Sequence, residues 1–167
     1  MKFYLLRHGP AEDQAPTGLD ADRALSSTGR ERVRLVSEAL VSLEEEPVLV
    51  FTSPLVRAVQ TAEIVALVTR LGARAGRVEV RRELAPGGDG PGLVRASAQQ
   101  GLRRLCLVGH EPDLSATAAA LLGTFDRPFD KAMVVSGHIS ASGERARLRF
   151  VLDPKTLRLD PDRRDDK

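Results

Sequence analysis

Arg7-His8-Gly9 follows directly on the first apolar run of the chain, Phe3-Tyr4-Leu5-Leu6. A histidine can serve as nucleophile, or as acid and base, near neutral pH. An adjacent arginine suits phosphate, because its planar guanidinium stays charged and donates several hydrogen bonds at once. Taken alone, the tripeptide is equally compatible with an ordinary loop. Two other places hold related residue types. Thr52-Ser53-Pro54, followed by Arg57, closes the apolar run Val48–Phe51, and Gly109-His110 closes Leu105–Val108. Two arginines and two histidines gathered at one site would suit a tetrahedral dianion, and phosphate fits that description best.

Such a gathering needs parallel strands. In open α/β sheets, ligands bind beyond the carboxyl ends of the strands, and short apolar runs of this kind read as buried parallel strands. Strands are therefore predicted at 2–6, 48–51 and 104–108, with a shorter one at 77–81. Residues 9–25 read as a loop, rich in polar residues, Pro and Gly. Ser26 to Thr28 offer caps for a helix over 30–43, whose apolar face is Val33, Val36, Ala39, Leu40 and Leu43. Ser53-Pro54 is expected to open the next helix, with Ser53 as cap, Arg57 one turn inside its N-terminus and Gly72 as its stop. There the free N–H groups and the helix dipole favour anions. Residues 85–92 read as a flexible loop. Helices are expected over 93–100 and from 112 or 113 to 122, and late antiparallel strands over 131–139 and 145–152. Strands alternating with helices argue for an α/β fold: three α/β/α layers around a mostly parallel central sheet. One domain over 1–159 and a charged tail over 160–167 complete the expected organisation.

Composition excludes several classes. The chain has 167 residues and 42% apolar content, enough for one packed domain. A net charge of +2 implies neither a nucleic-acid nor a membrane surface. Cys106 is the single cysteine, so no internal disulfide forms, and its apolar setting makes it a buried hydrophobe. Only His8, His110 and His138 accompany it, too few for a zinc site. Arg7 interrupts the only early apolar run, so no signal peptide is expected. A monomer in the cytoplasm is the expectation.

The three clusters carry a resemblance. Arg7-His8-Gly9, Ser53-Pro54-Leu55-Val56-Arg57-Ala58-Val59-Gln60-Thr61-Ala62 and Val108-Gly109-His110 resemble, in order, the motifs of the histidine phosphatase superfamily, the relatives of phosphoglycerate mutase. The resemblance implies a phosphoglycerate mutase-like fold and a phosphatase that works through phosphohistidine without cofactor or metal. It makes His8 the nucleophile and Arg7, Arg57 and His110 the rest of the phosphate pocket. The chemistry agrees. His8 must be neutral to attack phosphorus, with its other ring nitrogen donating to a carbonyl. The arginines and His110 would stabilise charge on the phosphoryl oxygens. Thr61 is expected to hydrogen-bond within the site rather than to substrate.

Within that superfamily the chain resembles the SixA-type phosphohistidine phosphatase branch. Asp20-Ala21-Asp22-Arg23-Ala24-Leu25-Ser26-Ser27-Thr28-Gly29 and Glu83-Leu84-Ala85-Pro86-Gly87-Gly88-Asp89 match its local patterns. The stretch between Arg57 and His110 is also too short for a large inserted cap. Mutase-like relatives place a general acid where this chain has Pro86. An alkoxide needs protonation to leave; imidazole needs little, so loss of the acid fits a phosphoramidate. Glu83 and Asp89 are the candidate acids still present, each also readable as a solvated loop charge or turn former. Arg23 either reaches over the pocket to bind substrate or stays a solvated charge. His138 is expected in a structural or solvent-facing role. The expected partner is a phosphorylated histidine on a protein, or a small phosphate ester. A mutase and a phosphate-binding adaptor are the competing readings, the latter having no need of a nucleophile.

Overall fold

In a computed structural model of the protein, residues 1–123 and 125–161 are described. Among these residues seven strands form one sheet, β1 (Lys2–Arg7), β2 (Leu49–Thr52), β3 (Arg77–Val80), β4 (Arg104–Gly109), β5 (Val134–Ile139), β6 (Ala146–Leu152) and β7 (Leu159–Pro161). Four helices pack on it: α1 (Ser27–Ser42), α2 (Val56–Val68), α3 (Gly90–Gln99) and α4 (Asp113–Leu122). The strand order is β3-β2-β4-β1-β5-β6-β7. The first four run parallel, and β5, β6 and β7 each run antiparallel to the strand before.

The period-two alternation of β1 builds both cores. Phe3 and Leu5 join the apolar cluster under α3 and α4, together with Leu93, Val94, Leu114 and Ala118. Tyr4 and Leu6 join the one under α1 and α2, with Val33, Val36, Ala58 and Ala62. A strand covered on both faces needs the near-continuous apolar run this segment has. The three layers are therefore α/β/α, as the sequence predicts.

Register places the strand ends side by side. Arg7 pairs with Gly109, and Thr52 with Val108. Continuing by one residue, His8 donates its backbone N–H to Gly109 O at 3.1 Å, and Ser53 donates its own to Val108 O at 3.0 Å. Three runs that lie far apart in the chain thus finish on one edge.

Several boundaries differ from expectation. α1 begins at Ser27, because Ser26 Oγ accepts from Gly29 N at 3.0 Å and caps the helix. Gly29 has a second duty: a Cβ there would lie 1.8 Å from Pro10 O. Only a glycine lets the first turn of α1 sit against the chain leaving the His8 strand. Ser53 is not the cap of α2; Leu55 is, and no side chain caps it. Arg57 is consequently the second residue of the helix rather than one turn in. Gly72 does not stop α2, which ends at Val68; it lies in a short 3-10 turn, Leu71–Arg74. α3 begins at Gly90, since Asp89 accepts from Gly92 N and Pro91 is tolerated in a first turn. Within the loop 9–25, Asp20–Asp22 forms one 3-10 turn. β7 extends past the expected end of the domain at 159, pairing Asp160 with Val151. Residues 162–167 of the expected tail lie outside the described residues.

Candidate active site

His8 stands one residue past β1 and is 6% exposed. Its Nδ1 lies 2.7 Å from Gly9 O. A carbonyl can only accept, so the proton is on Nδ1 and the lone pair is on Nε2. Arg57 Nε donates to that Nε2 at 3.3 Å. Burial lowers the pKa of His8 to about 3, with His110, Arg57 and Arg7 adding to the effect and the Gly9 hydrogen bond opposing it. The ring is therefore neutral at physiological pH, with its free nitrogen on the cationic side of the site.

His110, one residue past β4, is also buried, and its ring centroid lies 5.1 Å from that of His8. Its Nε2 meets Ser53 Oγ at 2.7 Å, while its buried Nδ1 has no partner among the described residues. Ser53 can donate its hydroxyl proton to Nε2, which leaves Nδ1–H as a donor facing no protein acceptor. Burial, then Arg57, lowers the His110 pKa to about 4. A neutral donor of this kind can meet a phosphoryl oxygen without titrating away.

Two arginines supply the charge. Arg7 Nη1 donates to Phe129 O at 2.5 Å, and its Nε is buried without a partner among the described residues. Arg57 donates from Nη1 to Asp20 O at 2.7 Å and from Nη2 to Asp20 Oδ2 at 3.0 Å. Thr61, one turn on in α2, donates to Arg57 O and accepts from Gly9 N, so it ties α2 to the His8 loop. Both of these bonds lie within the site.

The structure thus brings Arg7, His8, Arg57 and His110 together. Arg23 reaches the site through Asp20, whose Oδ1 it holds at 2.8 Å, and it also donates to Glu12 O. Glu83 shares a narrow cleft with His110, Asp113 and Thr117. Its carboxylate pairs with Arg81 at 2.7 Å, and that bond holds its pKa below the usual carboxylate range. Asp89 is engaged as the cap of α3. His138 lies in β5, paired across from Lys2 and Arg147, away from the pocket. Sequence reading gives no site role to Asp20 or the Phe129 carbonyl, and takes Ser53 for a helix cap rather than a partner of His110. For Ser53 a signal existed: it follows the last residue of a strand, as His8 and His110 do.

Comparison with known proteins agrees with this geometry. Residues 3–85 match the model of the histidine phosphatase superfamily (branch 1). That span includes Arg7, His8 and Arg57 and stops short of His110. The chain is 32% identical over 164 residues to phosphohistidine phosphatase SixA of Escherichia coli strain K12, covering 95% of this chain and 98% of that protein. It is 40% identical over 124 residues to an uncharacterized protein of Picosynechococcus, covering 72% of this chain and 73% of the other. Among solved structures, the protein histidine phosphatase SixA complexed with tungstate superimposes with a TM-score of 0.84 at 29% identity, covering 95% of this chain and all of that one. The chain belongs to the histidine phosphatase superfamily and is a phosphatase of its SixA-type branch.

Proposed function

We propose that this phosphatase removes phosphoryl groups from histidines of proteins, with His8 as nucleophile. The observation that carries the reading is the His8 ring itself, protonated at Nδ1 by its bond to Gly9 O and presenting Nε2 beside Arg57. In the first step the Nε2 lone pair attacks phosphorus. The bond from phosphorus to the substrate imidazole breaks, and the departing nitrogen takes its electron pair and then a proton from solvent. In the second step water attacks the phosphorus on His8, Nε2 leaves with its pair, and inorganic phosphate departs. Arg7, Arg57 and the Nδ1–H of His110 stabilise the phosphoryl oxygens in both steps. The two guanidiniums supply the positive charge that a metal would otherwise bring, so a chelator is expected to leave turnover unchanged.

Two features favour a phosphoramidate on a protein. Glu83, the candidate acid that lines the cleft beside His110, is ion-paired with Arg81 and holds no proton to give an alkoxide. A groove of about 650 Å³, lined by Asp13, Ala15, Leu19 and Arg23 among others, meets the site at Asp20 and opens to solvent, so a substrate larger than a free phosphate ester has access to it. The similarity to SixA of Escherichia coli, a phosphohistidine phosphatase, points the same way. A monomer in the cytoplasm completes the proposal.

Turnover of a phosphohistidine protein, compared with sugar phosphates and p-nitrophenyl phosphate, tests it. A clear preference for the phosphohistidine protein, abolished in His8→Ala, is expected, with acid-labile phosphate trapped on the wild type by rapid quench. Equal or better turnover of a sugar phosphate would assign the chain to small phosphomonoesters instead. Full activity in His8→Ala would end the nucleophile assignment.

A further inference from the structure

Arg7 owes its orientation to a residue outside the pocket. Its Nη1 donates to Phe129 O at 2.5 Å, an acceptor 122 positions along the chain. Phe129 is itself held twice. Its ring is buried at 1% exposure and packs against Phe125 at 5.3 Å. Its backbone N–H donates to Glu111 Oε1 at 2.6 Å. The same oxygen accepts from Ser115 Oγ, in the first turn of α4, at 2.7 Å. Just beyond, Ala132 N donates to the carbonyls of Arg7 and His8. The loop that carries Phe129 is therefore fastened at one end to the β1 terminus and at the other to the residue after His110.

We propose that Glu111 is a positioning residue for Arg7, acting through the backbone of Phe129. The inference rests on the phosphatase reading of the site. A carboxylate oxygen that accepts a backbone N–H and a hydroxyl forms charge-assisted bonds stronger than neutral ones. It fixes where the Phe129 carbonyl stands, and that carbonyl fixes the rotation of the guanidinium. The buried Nε of Arg7, which has no acceptor among the described residues, is then held ready for a phosphoryl oxygen. Without the anchor the loop would relax and the guanidinium would lose its fixed geometry. Because Glu111 directly follows His110, one short segment sets two members of the pocket at once.

A double-mutant cycle separates this from a merely structural role. The quantities measured are kcat/KM on a phosphohistidine protein, the Kd of inorganic phosphate by calorimetry, and Tm. In Glu111→Ala, kcat/KM and phosphate affinity are expected to fall about 10- to 100-fold. Glu111→Gln, whose amide oxygen can still accept from Phe129 N, is expected to recover most of both. In an Arg7→Ala background the Glu111→Ala change is expected to add nothing. Should Glu111→Ala fail to fold, Glu111→Asp keeps the charge but withdraws the oxygen from Phe129, and is expected to weaken phosphate in the same way. Additive losses in the double variant, or wild-type phosphate affinity in a folded Glu111→Ala or Glu111→Asp, overturn the proposal. If the wild type fails to turn over phosphohistidine, the phosphohistidine reading of the site fails instead. The phosphate cycle still reports on Glu111 in that case.

Discussion

Nε of Arg57 lies 3.3 Å from Nε2 of His8, so the nitrogen proposed to attack phosphorus is held by the cation that would later hold the phosphoryl group. A protonated His8 could not accept this bond. The contact therefore selects the neutral ring, and the Gly9 carbonyl selects its tautomer. When phosphorus arrives, Arg57 must release Nε2 and turn its donors to oxygen. The ground-state contact stores the lone pair in position, and the transition state takes the charge.

Burial and neighbouring cations lower His8 to about 3 and His110 to about 4. An NMR titration is expected to show neither ring protonating between about pH 8 and pH 5; a ring titrating near 6.5 would contradict the site. Unfolded histidines titrate near about 6.5. Below that value the unfolded chain binds more protons than the folded one. Stability is intact above about 6.5 and falls as pH drops toward the folded values. The urea midpoint should decline over that window in the wild type, and less steeply in His8→Ala.

Asp20 competes for the same guanidinium. Its carboxylate and carbonyl take both terminal nitrogens of Arg57, and Arg23 holds its other oxygen. Those hydrogen bonds, from Arg23 first and Arg57 next, lower the Asp20 pKa, so it is anionic at neutral pH. A phosphoryl group must displace it. The Asp20 side chain is 66% exposed, and such pairs contribute about 0.2–1 kcal/mol. Asp20→Asn is thus expected to tighten inhibition by inorganic phosphate about two- to fivefold, less so at high salt. Weaker inhibition would mean that the carboxylate orients Arg57 for the anion instead.

The two candidate acids should behave differently. Asp89 caps α3 through Gly92 N, so Asp89→Ala is expected to cost about 1 kcal/mol of stability in urea unfolding and leave phosphohistidine turnover unchanged. Glu83 is held ionised by Arg81. A working general acid contributes about 10²–10⁴-fold, so Glu83→Gln is expected to change p-nitrophenyl phosphate turnover by no more than about twofold. A loss of 100-fold or more, the lower end of that range, would identify Glu83 as the acid.

What could be read from the chain and what could not divide along sequence separation. The apolar runs before His8, Ser53 and His110 each announce a buried strand, and parallel register then brings their ends together without further information. Local chemistry was harder. Ser53-Pro54 has the look of a cap and first turn, yet Leu55 stays extended and the Ser53 hydroxyl goes to His110. Gly87 to Gly92 looks like pure loop, yet Asp89 and Pro91 start a helix in it. Contacts such as Arg7 with Phe129 and Arg57 with Asp20 leave no local mark, because neither spacing nor propensity encodes which loop folds back over a strand end.

The opposite end of β1 offers a control for all of these. Glu45 accepts from the Tyr4 hydroxyl at 2.6 Å, from Arg149 at 2.5 and 2.8 Å, and from Lys2 at 3.1 Å. Burial opposes its charge, but the bonds from Arg149, Tyr4 and Lys2 outweigh burial and hold its pKa at about 2. Glu45→Ala would strand the Tyr4 hydroxyl and the Arg149 guanidinium. Removing one partner of a fully buried pair costs about 3–5 kcal/mol. Arg149 and Lys2 keep side-chain exposures of 23% and 31%, so water replaces part of what is lost and the expected cost is about 2–3 kcal/mol. A carboxylate with a depressed pKa gives its stability above the unfolded value, about 4.3, and loses it as pH falls toward 2. The penalty in urea should therefore be equal at about pH 7 and pH 5, while the histidines already weaken the fold in that range. Turnover of the folded variant should match wild type, because His8 lies at the other end of the strand. A penalty that shrinks between those two pH values would show that Glu45 is protonated well above its expected range, and that the network contributes less than its geometry implies.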